Sequence, residues 1–181
     1  MEKENRISLR QLTISALLIA FDVIFTRLLA LNTPLAKIGF GFAAVAVSAM
    51  LYGPAWAALT AALGDLIGAL LFPTGAYFPG FTLTAALTGL LFGLCLHRRP
   101  VRLGNAFLAA FLNCLLVTLV LNTLQIWYFF HVSLEVLLST RVPQFFLMTA
   151  VQTAVIRALG ASPALLAQIR GKKPPENEKK P

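Results

Sequence analysis

The sequence predicts an all-α integral membrane protein of six transmembrane helices, and three observations carry that prediction. Of the 181 residues, 58% are apolar and only 12% are charged, whereas a soluble domain has about 45–50% apolar and about 25% charged residues. The apolar residues fall into six runs separated by Pro- and Gly-rich turns. The cations collect in the connections between runs, mostly on one side. Too few charges are present to cover a water-facing surface, which excludes a disordered chain, a coiled coil, a collagen-like repeat and a disulfide scaffold.

A spanning helix needs about 20 mostly apolar residues. Span 1 is expected over Leu9–Leu31, span 2 over Ile38–Tyr52 and span 3 over Ala55–Phe72. Span 4 is expected over Phe81–Leu96, span 5 over Leu103–Phe130 and span 6 over Val142–Ile169. Span 2 is short and must lie beside protein or thin the bilayer locally. Asn32-Thr33-Pro34 breaks the chain after span 1, and Tyr52-Gly53-Pro54 turns it between spans 2 and 3. Phe72-Pro73-Thr74-Gly75 and Phe78-Pro79-Gly80 bracket the next loop, and Pro143 is expected in the first turn of span 6. Arg6 and Arg10 resemble the positive region of a secretory leader. The run behind them is long and carries Asp22 and Arg27, so a retained helix is expected.

Loop cations set the orientation. Eleven Lys and Arg fall on the side of the termini, in 3–10, 98–102 and 170–180, against only Lys37 and Arg141 on the other. Both termini are therefore expected in the cytoplasm. The expected organisation is a cytoplasmic N-terminus over 1–8, one six-helix domain over 9–169 and a disordered charged tail over 170–181. The net charge of +8 does not lie along one amphipathic face, which argues against a nucleic-acid partner. Cys95 and Cys114 lie in apolar runs without metal-ligand spacing and read as buried free thiols. No catalytic constellation, metal cluster or nucleotide-binding loop is present in the sequence, so neither an enzyme nor a bound cofactor is expected.

Charges inside spans are expensive, about 2.5–3.5 kcal/mol each near a helix centre. Arg27, Lys37 and Arg141 all face the outer side against the charge bias, which fits either a pocket for an anionic ligand or snorkelling to headgroups. Asp22 and Asp65 are expected in structural roles, and Arg157 is expected to snorkel inward. The stretch Phe72–Thr82 packs four aromatics, two prolines and two glycines into eleven residues. It suits either a ring-stacking wall or an interfacial aromatic belt. Asn122 and Trp127 lie toward the outer end of span 5, while His131 reads as a membrane-surface residue. Small residues recur at four-residue spacing at Ala16/Ala20, at Gly64/Gly68 and at Ala85/Gly89/Gly93, where helices can approach closely or a partner can dock.

Several of these segments together resemble the folate-family S component of energy-coupling factor (ECF) transporters. They are Lys37-Ile38-Gly39-Phe40-Gly41-Phe42, Gly64-Asp65-Leu66-Ile67-Gly68-Ala69 and the loop Phe72 to Leu83, with Thr26-Arg27, Leu121-Asn122-Thr123 and Arg141. The resemblance spans about Leu9 to Ile169. It implies a six-helix subunit of a bacterial plasma membrane that captures folate or a related vitamin at an outward cavity. It further implies a membrane T subunit and two cytoplasmic ATPase subunits as partners, with delivery by reorientation within the bilayer. The substrate-binding residues so implied are Arg27, Lys37, Gly75, Tyr77, Phe78, Pro79, Gly80, Phe81, Thr82, Asn122, Trp127 and Arg141. Ala16 and Ala20 map to the motif that docks the T subunit, and Thr33 to Lys37 to a lid. Arg141-Val142-Pro143-Gln144 departs from the family's usual Arg-x-x-Lys, and Gln125 and Trp127 stand where a Trp usually follows sooner. These departures leave the fine contacts and the choice of vitamin open. An S component for another vitamin or modified base is the nearest alternative, and a self-standing secondary transporter lies further off, since no inverted repeat or broken-helix pair is visible.

Overall fold

A computed structural model describes residues 8–32, 37–73, 77–99 and 101–162. Among them the chain forms six helices: α1 Leu9–Leu28, α2 Phe42–Tyr52, α3 Pro54–Leu71, α4 Pro79–Leu96, α5 Leu103–Phe130 and α6 Leu134–Ala161. Five of these are long and apolar enough to cross a membrane, and α2 is the shorter apolar one. Two-residue strands β1 Leu31–Asn32 and β2 Lys37–Ile38 pair antiparallel between α1 and α2.

The breaks between helices follow from backbone chemistry. Gly53 adopts φ 90°, a region nearly closed to residues with a Cβ, and Pro54 then opens α3, where its missing N–H costs nothing. Pro79 opens α4 in the same way, so Pro79, Gly80, Phe81 and Thr82 belong to its first turns. α2, at about 16 Å by its 11 residues, is far short of the roughly 30 Å hydrocarbon core. It survives because it is embedded in protein: Phe42, Val45, Ala46, Ala49 and Met50 are buried, packed against α1, α3, α4 and α6. Ile38–Gly41, expected as its beginning, is not helical.

Span 6 needs a correction at its start. α6 starts at Leu134 rather than Val142, so Arg141 and Pro143 lie inside the helix and not at its opening. The first turns carry Glu135, Ser139 and Thr140, which lower the hydropathy there and imitate a loop. The glutamate suits the positive end of the helix. Ser139 and Thr140 bond back to the Val136 carbonyl at 2.9 and 3.1 Å, so their hydroxyls are satisfied within the helix. α6 ends at Ala161, with Ser162 extended, as expected for a residue that precedes a proline. The remainder of the expected span, to Ile169, and the tail expected over 170–181 lie outside the described residues.

Helix order is fixed by a few close approaches. A Cβ added at Gly89 would lie 2.2 Å from the Ala57 carbonyl oxygen, and one at Gly93 2.1 Å from Pro54 Cα. These glycines let α3 and α4 cross antiparallel almost backbone to backbone. α1 runs parallel to α3, with Asp22 over Gly64 and Arg27 over Gly68. Asn113 on α5 donates to Gln152 on α6 at 3.1 Å, and Ser48 pairs with Thr60 between α2 and α3 at 2.9 Å. Such bonds settle polar groups where no water is available. The apolar core runs through Phe42, Met50, Phe92, Leu96, Ala106, Ala110, Met148 and Ile156. Cys95 and Cys114 are buried free thiols. Exposed apolar side chains such as Leu17, Leu70, Leu83, Leu94 and Phe146 cover the outside, as a lipid-facing surface requires.

Candidate functional site

The antiparallel order brings the end of α1, the start of α2, the end of α3, the start of α4, the end of α5 and the start of α6 to one end of the bundle. Call it the distal end, opposite Leu9 and Ala161. Two features of the backbone shape it. α1 loosens into a π-helical turn over Ile24–Leu28, and α5 does so over Asn113–Leu121. Such wide turns inside α-helices are frequent at functional sites. Arg27 sits in the first and Thr118 in the second.

Arg27 is held by α3. Its Nη2 lies 3.2 Å from Asp65 Oδ1 and donates to the Asp65 carbonyl at 3.3 Å. Gly68 makes the approach possible, since a Cβ there would meet Arg27 Nε at 2.9 Å. The other Asp65 oxygen accepts from the Thr82 hydroxyl at 2.8 Å, and Thr82 shares a 2.9 Å bond with the Tyr77 hydroxyl. The side chains are 9% exposed for Arg27 and 18% for Asp65. Four residues on α1, α3, α4 and the loop before α4 thus form one polar chain with a carboxylate at its centre.

The first turns of α4 also reach the opposite way. Thr84 donates to Asn122 Oδ1 on α5 at 3.0 Å, and Gln125 Nε2 donates to the Gly80 carbonyl at 3.2 Å. α4 therefore stands between the Arg27 side and the α5 side. Arg141, only 6% exposed, donates to the Thr118 carbonyl on α5 at 2.9 Å, and its Nε has no acceptor among the described residues. The two arginines are thus anchored by different helices, and among the described residues only Arg27 of the two has a carboxylate within ion-pair distance.

The structure treats the aromatic residues unequally. Phe78 packs on Phe129 with centroids 4.0 Å apart and edge-on to Phe81 at 6.0 Å, while Phe81 stacks with Phe130 at 6.3 Å. Tyr77 and Trp127 are exposed, at 44% and 43%, and Trp127 makes no ring contact among the described residues. Pro79 is exposed as well. Lys37 pairs through its backbone with Asn32, but its side chain lies outside the described set. Gly75 and Thr33–Ala36 lie outside the described residues altogether. Phe129, Phe130 and Gln125 were not among the expected contributors. The run Tyr128-Phe129-Phe130, at the same depth as the loop aromatics, was the available signal. Asp65 was expected to be structural, and it is bonded on both oxygens, to Arg27 and to Thr82, at the centre of this polar chain.

Away from the distal end, Ala16 and Ala20 are exposed on α1. Ala16 borders a shallow groove between α1 and α3 lined also by Leu12, Ser15, Ile19, Trp56, Leu59, Thr60 and Leu63. Asp22 is buried and faces α3, as expected, and Arg157 is exposed. His131 caps the end of α5 in a left-handed conformation.

Comparison with known proteins places these features in context. The family described as "ECF transporter, substrate-specific component" matches residues 10–167. A protein named Folate transporter FolT from Clostridium novyi (strain NT) is 36% identical over 141 residues, 78% of this chain and 82% of its own. Its namesake from Leuconostoc mesenteroides subsp. mesenteroides is 30% identical over 129 residues, 71% of this chain and 69% of its own. A crystal structure of FolT bound with folic acid superposes with a TM-score of 0.81 at 30% identity, covering 84% of this chain and 93% of the other.

Proposed function

As the chain belongs to the family of ECF transporter substrate-specific components, we propose that it is the membrane subunit that captures folate for such a transporter. It is a transport component and not an enzyme. The observation that carries the folate assignment is the likeness, across most of the bundle, to a FolT that holds folic acid. Folate combines a flat heterocycle, a benzoyl ring and an anionic glutamate. The distal end offers what such a molecule needs: two guanidinium groups, Arg27 and Arg141, and the aromatic side chains Tyr77, Phe78, Phe81 and Trp127. Thr82, Asn122 and the turn Pro79–Gly80 supply the polar frame between them, with Lys37 and Gly75 on the adjoining loops. In this assignment the distal end faces outward and both termini lie in the cytoplasm of a bacterial cell, supported by the eleven cations on the terminal side.

Delivery requires partners. A T subunit in the membrane docks on the exposed Ala16 and Ala20 face of α1, and two ATPases below it supply the energy for reorientation. The segment 1–8 and the tail 170–181 lie on the cytoplasmic side in this scheme. The test is ligand identity: protein purified without added vitamin is denatured and its extract analysed by mass spectrometry, followed by titration with folic acid. Folate in the extract and saturable binding are expected. Recovery of a flavin or thiamin, with no response to folic acid, overturns the assignment.

A further inference from the structure

A site built only to attract anions would exclude Asp65, because a carboxylate beside Arg27 cancels the charge that does the attracting. Yet Asp65 is held at the centre of the distal site. Its Oδ1 faces Arg27 Nη2 at 3.2 Å and its Oδ2 accepts from Thr82 at 2.8 Å. An ionised carboxylate offers about four acceptor directions, so these contacts leave one on each oxygen among the described residues. The side chain is 18% exposed, twice as open as that of Arg27 at 9%. Arg141 differs: it is buried, and among the described residues no carboxylate faces it. Among the described residues of the site, the charge without a facing carboxylate is therefore that of Arg141. Arg27 and Asp65 form a neutral couple in which donors and acceptors stand side by side.

We propose that Asp65 is a specificity-determining residue, whose carboxylate accepts hydrogen bonds from the 2-amino-4-oxopyrimidine edge of the ligand while Arg141 supplies the attraction for its negative charge. The inference rests on the folate reading above. That edge carries an N3–H and a 2-amino group side by side, a donor pair shaped like a guanidinium, and a carboxylate with one direction open on each oxygen matches it. The Arg27 and Thr82 contacts hold the carboxylate in one orientation, so no ordering is left for the ligand to impose. A site that hydrogen-bonds an N–H group rejects an analogue lacking it far more strongly than an apolar pocket rejects a missing methylene.

The test is a cycle between protein and ligand, read as dissociation constants by titration calorimetry. The ligands are folic acid, its analogue with methyl in place of the 2-amino group, and pteroic acid, which lacks the glutamate. Wild-type protein is expected to prefer folic acid over the methyl analogue by at least tenfold. Asp65→Asn is expected to shrink that preference below threefold, and to weaken folic acid and pteroic acid by the same factor. A wild type that does not distinguish folic acid from the methyl analogue overturns the inference, and this arm needs no variant to fold. Retention of the full preference in Asp65→Asn, or a loss confined to folic acid, also overturns it. A wild type that binds the methyl analogue and folic acid equally leaves the folate reading standing, whereas one that binds neither removes that reading as well.

Discussion

The Asp22 carboxylate occupies the space that a side chain at Gly64 would fill: a Cβ at position 64 would lie 2.0 Å from Asp22 Oδ2. Gly41 closes on the same carboxylate from the other side, with its own Cβ position 2.4 Å from Oδ1. A buried acid is thereby enclosed between α1, α3 and the residues leading into α2. The small residues of the Gly64/Gly68 pair accommodate side chains of α1, Asp22 at the first and Arg27 at the second, and not merely a neighbouring backbone.

Gly64→Ala should therefore destabilise the bundle, because the added methyl meets the side chain of Asp22, a residue only 5% exposed that Gly41 also closes upon. A loss of about 1–3 kcal/mol is expected for such overpacking, read as a lower melting temperature in detergent. Gly104→Ala is the control, since nothing lies within 4 Å of the Cβ it would add. Its effect should stay within about 0.5 kcal/mol. Equal melting temperatures for the two variants would show that Asp22 relaxes away freely.

Arg27 and Asp65 should prove energetically coupled. Arg27→Ala removes the guanidinium that faces Asp65 Oδ1 at 3.2 Å and should weaken folate binding at least tenfold, about 1.4 kcal/mol. Asp65→Ala takes the carboxylate from a cation that is only 9% exposed. The double variant should retain more stability than the two single losses combined, with a coupling of about 0.5–3 kcal/mol. Strict additivity in thermal unfolding would mean that the pair contributes nothing as a pair.

For Arg141 the two readouts should move in opposite directions. The side chain is buried with a single acceptor, the Thr118 carbonyl, and no acceptor for Nε among the described residues. Burial of a charge without a counter-charge costs several kcal/mol. Arg141→Met keeps the bulk and removes the charge, so the ligand-free protein should melt at the same or a higher temperature. Folate affinity should nevertheless fall at least tenfold. Unchanged affinity would remove Arg141 from the site, whatever the melting temperature does.

Helix limits were legible in part where backbone chemistry set them. The turn at Gly53-Pro54 was read one residue from the start of α3, and α5 occupies the expected Leu103–Phe130, whereas Pro79 and Gly80, expected in the loop before span 4, open α4. The start of α6 was not legible, because Glu135, Ser139 and Thr140 make a helical segment polar and Pro143 then imitates an opening turn. The chain separation in the site explains the rest. Arg27 and Asp65 are 38 positions apart, and Thr84 and Asn122 are also 38 apart. Residue types can mark each as costly in a membrane, but only the crossing of helices decides which costly group satisfies which. The packing of Phe78 on Phe129 and of Phe81 on Phe130 escaped the sequence for the same reason.

Assembly with partners should be separable from ligand capture along α1. Ala16 and Ala20 are exposed, and Ala20 precedes Arg27 by about 10 Å of helix at 1.5 Å per residue. The groove beside Ala16 is walled by Leu12 and Ile19 of α1 and by Trp56, Leu59 and Leu63 of α3, all of them apolar. Helices in lipid associate through close packing over small side chains, because lipid tails already satisfy apolar surface. An indole at each alanine would hold a partner helix away without entering the core of this chain, since both positions point outward. Ala16→Trp with Ala20→Trp should thus abolish co-purification with a T subunit and the ATPases and stop folate uptake in cells. Titration of the isolated variant with folic acid should still give the wild-type affinity. Lost affinity in the isolated variant would place these alanines in the packing of the bundle, and retained co-purification would place the docking surface on another helix.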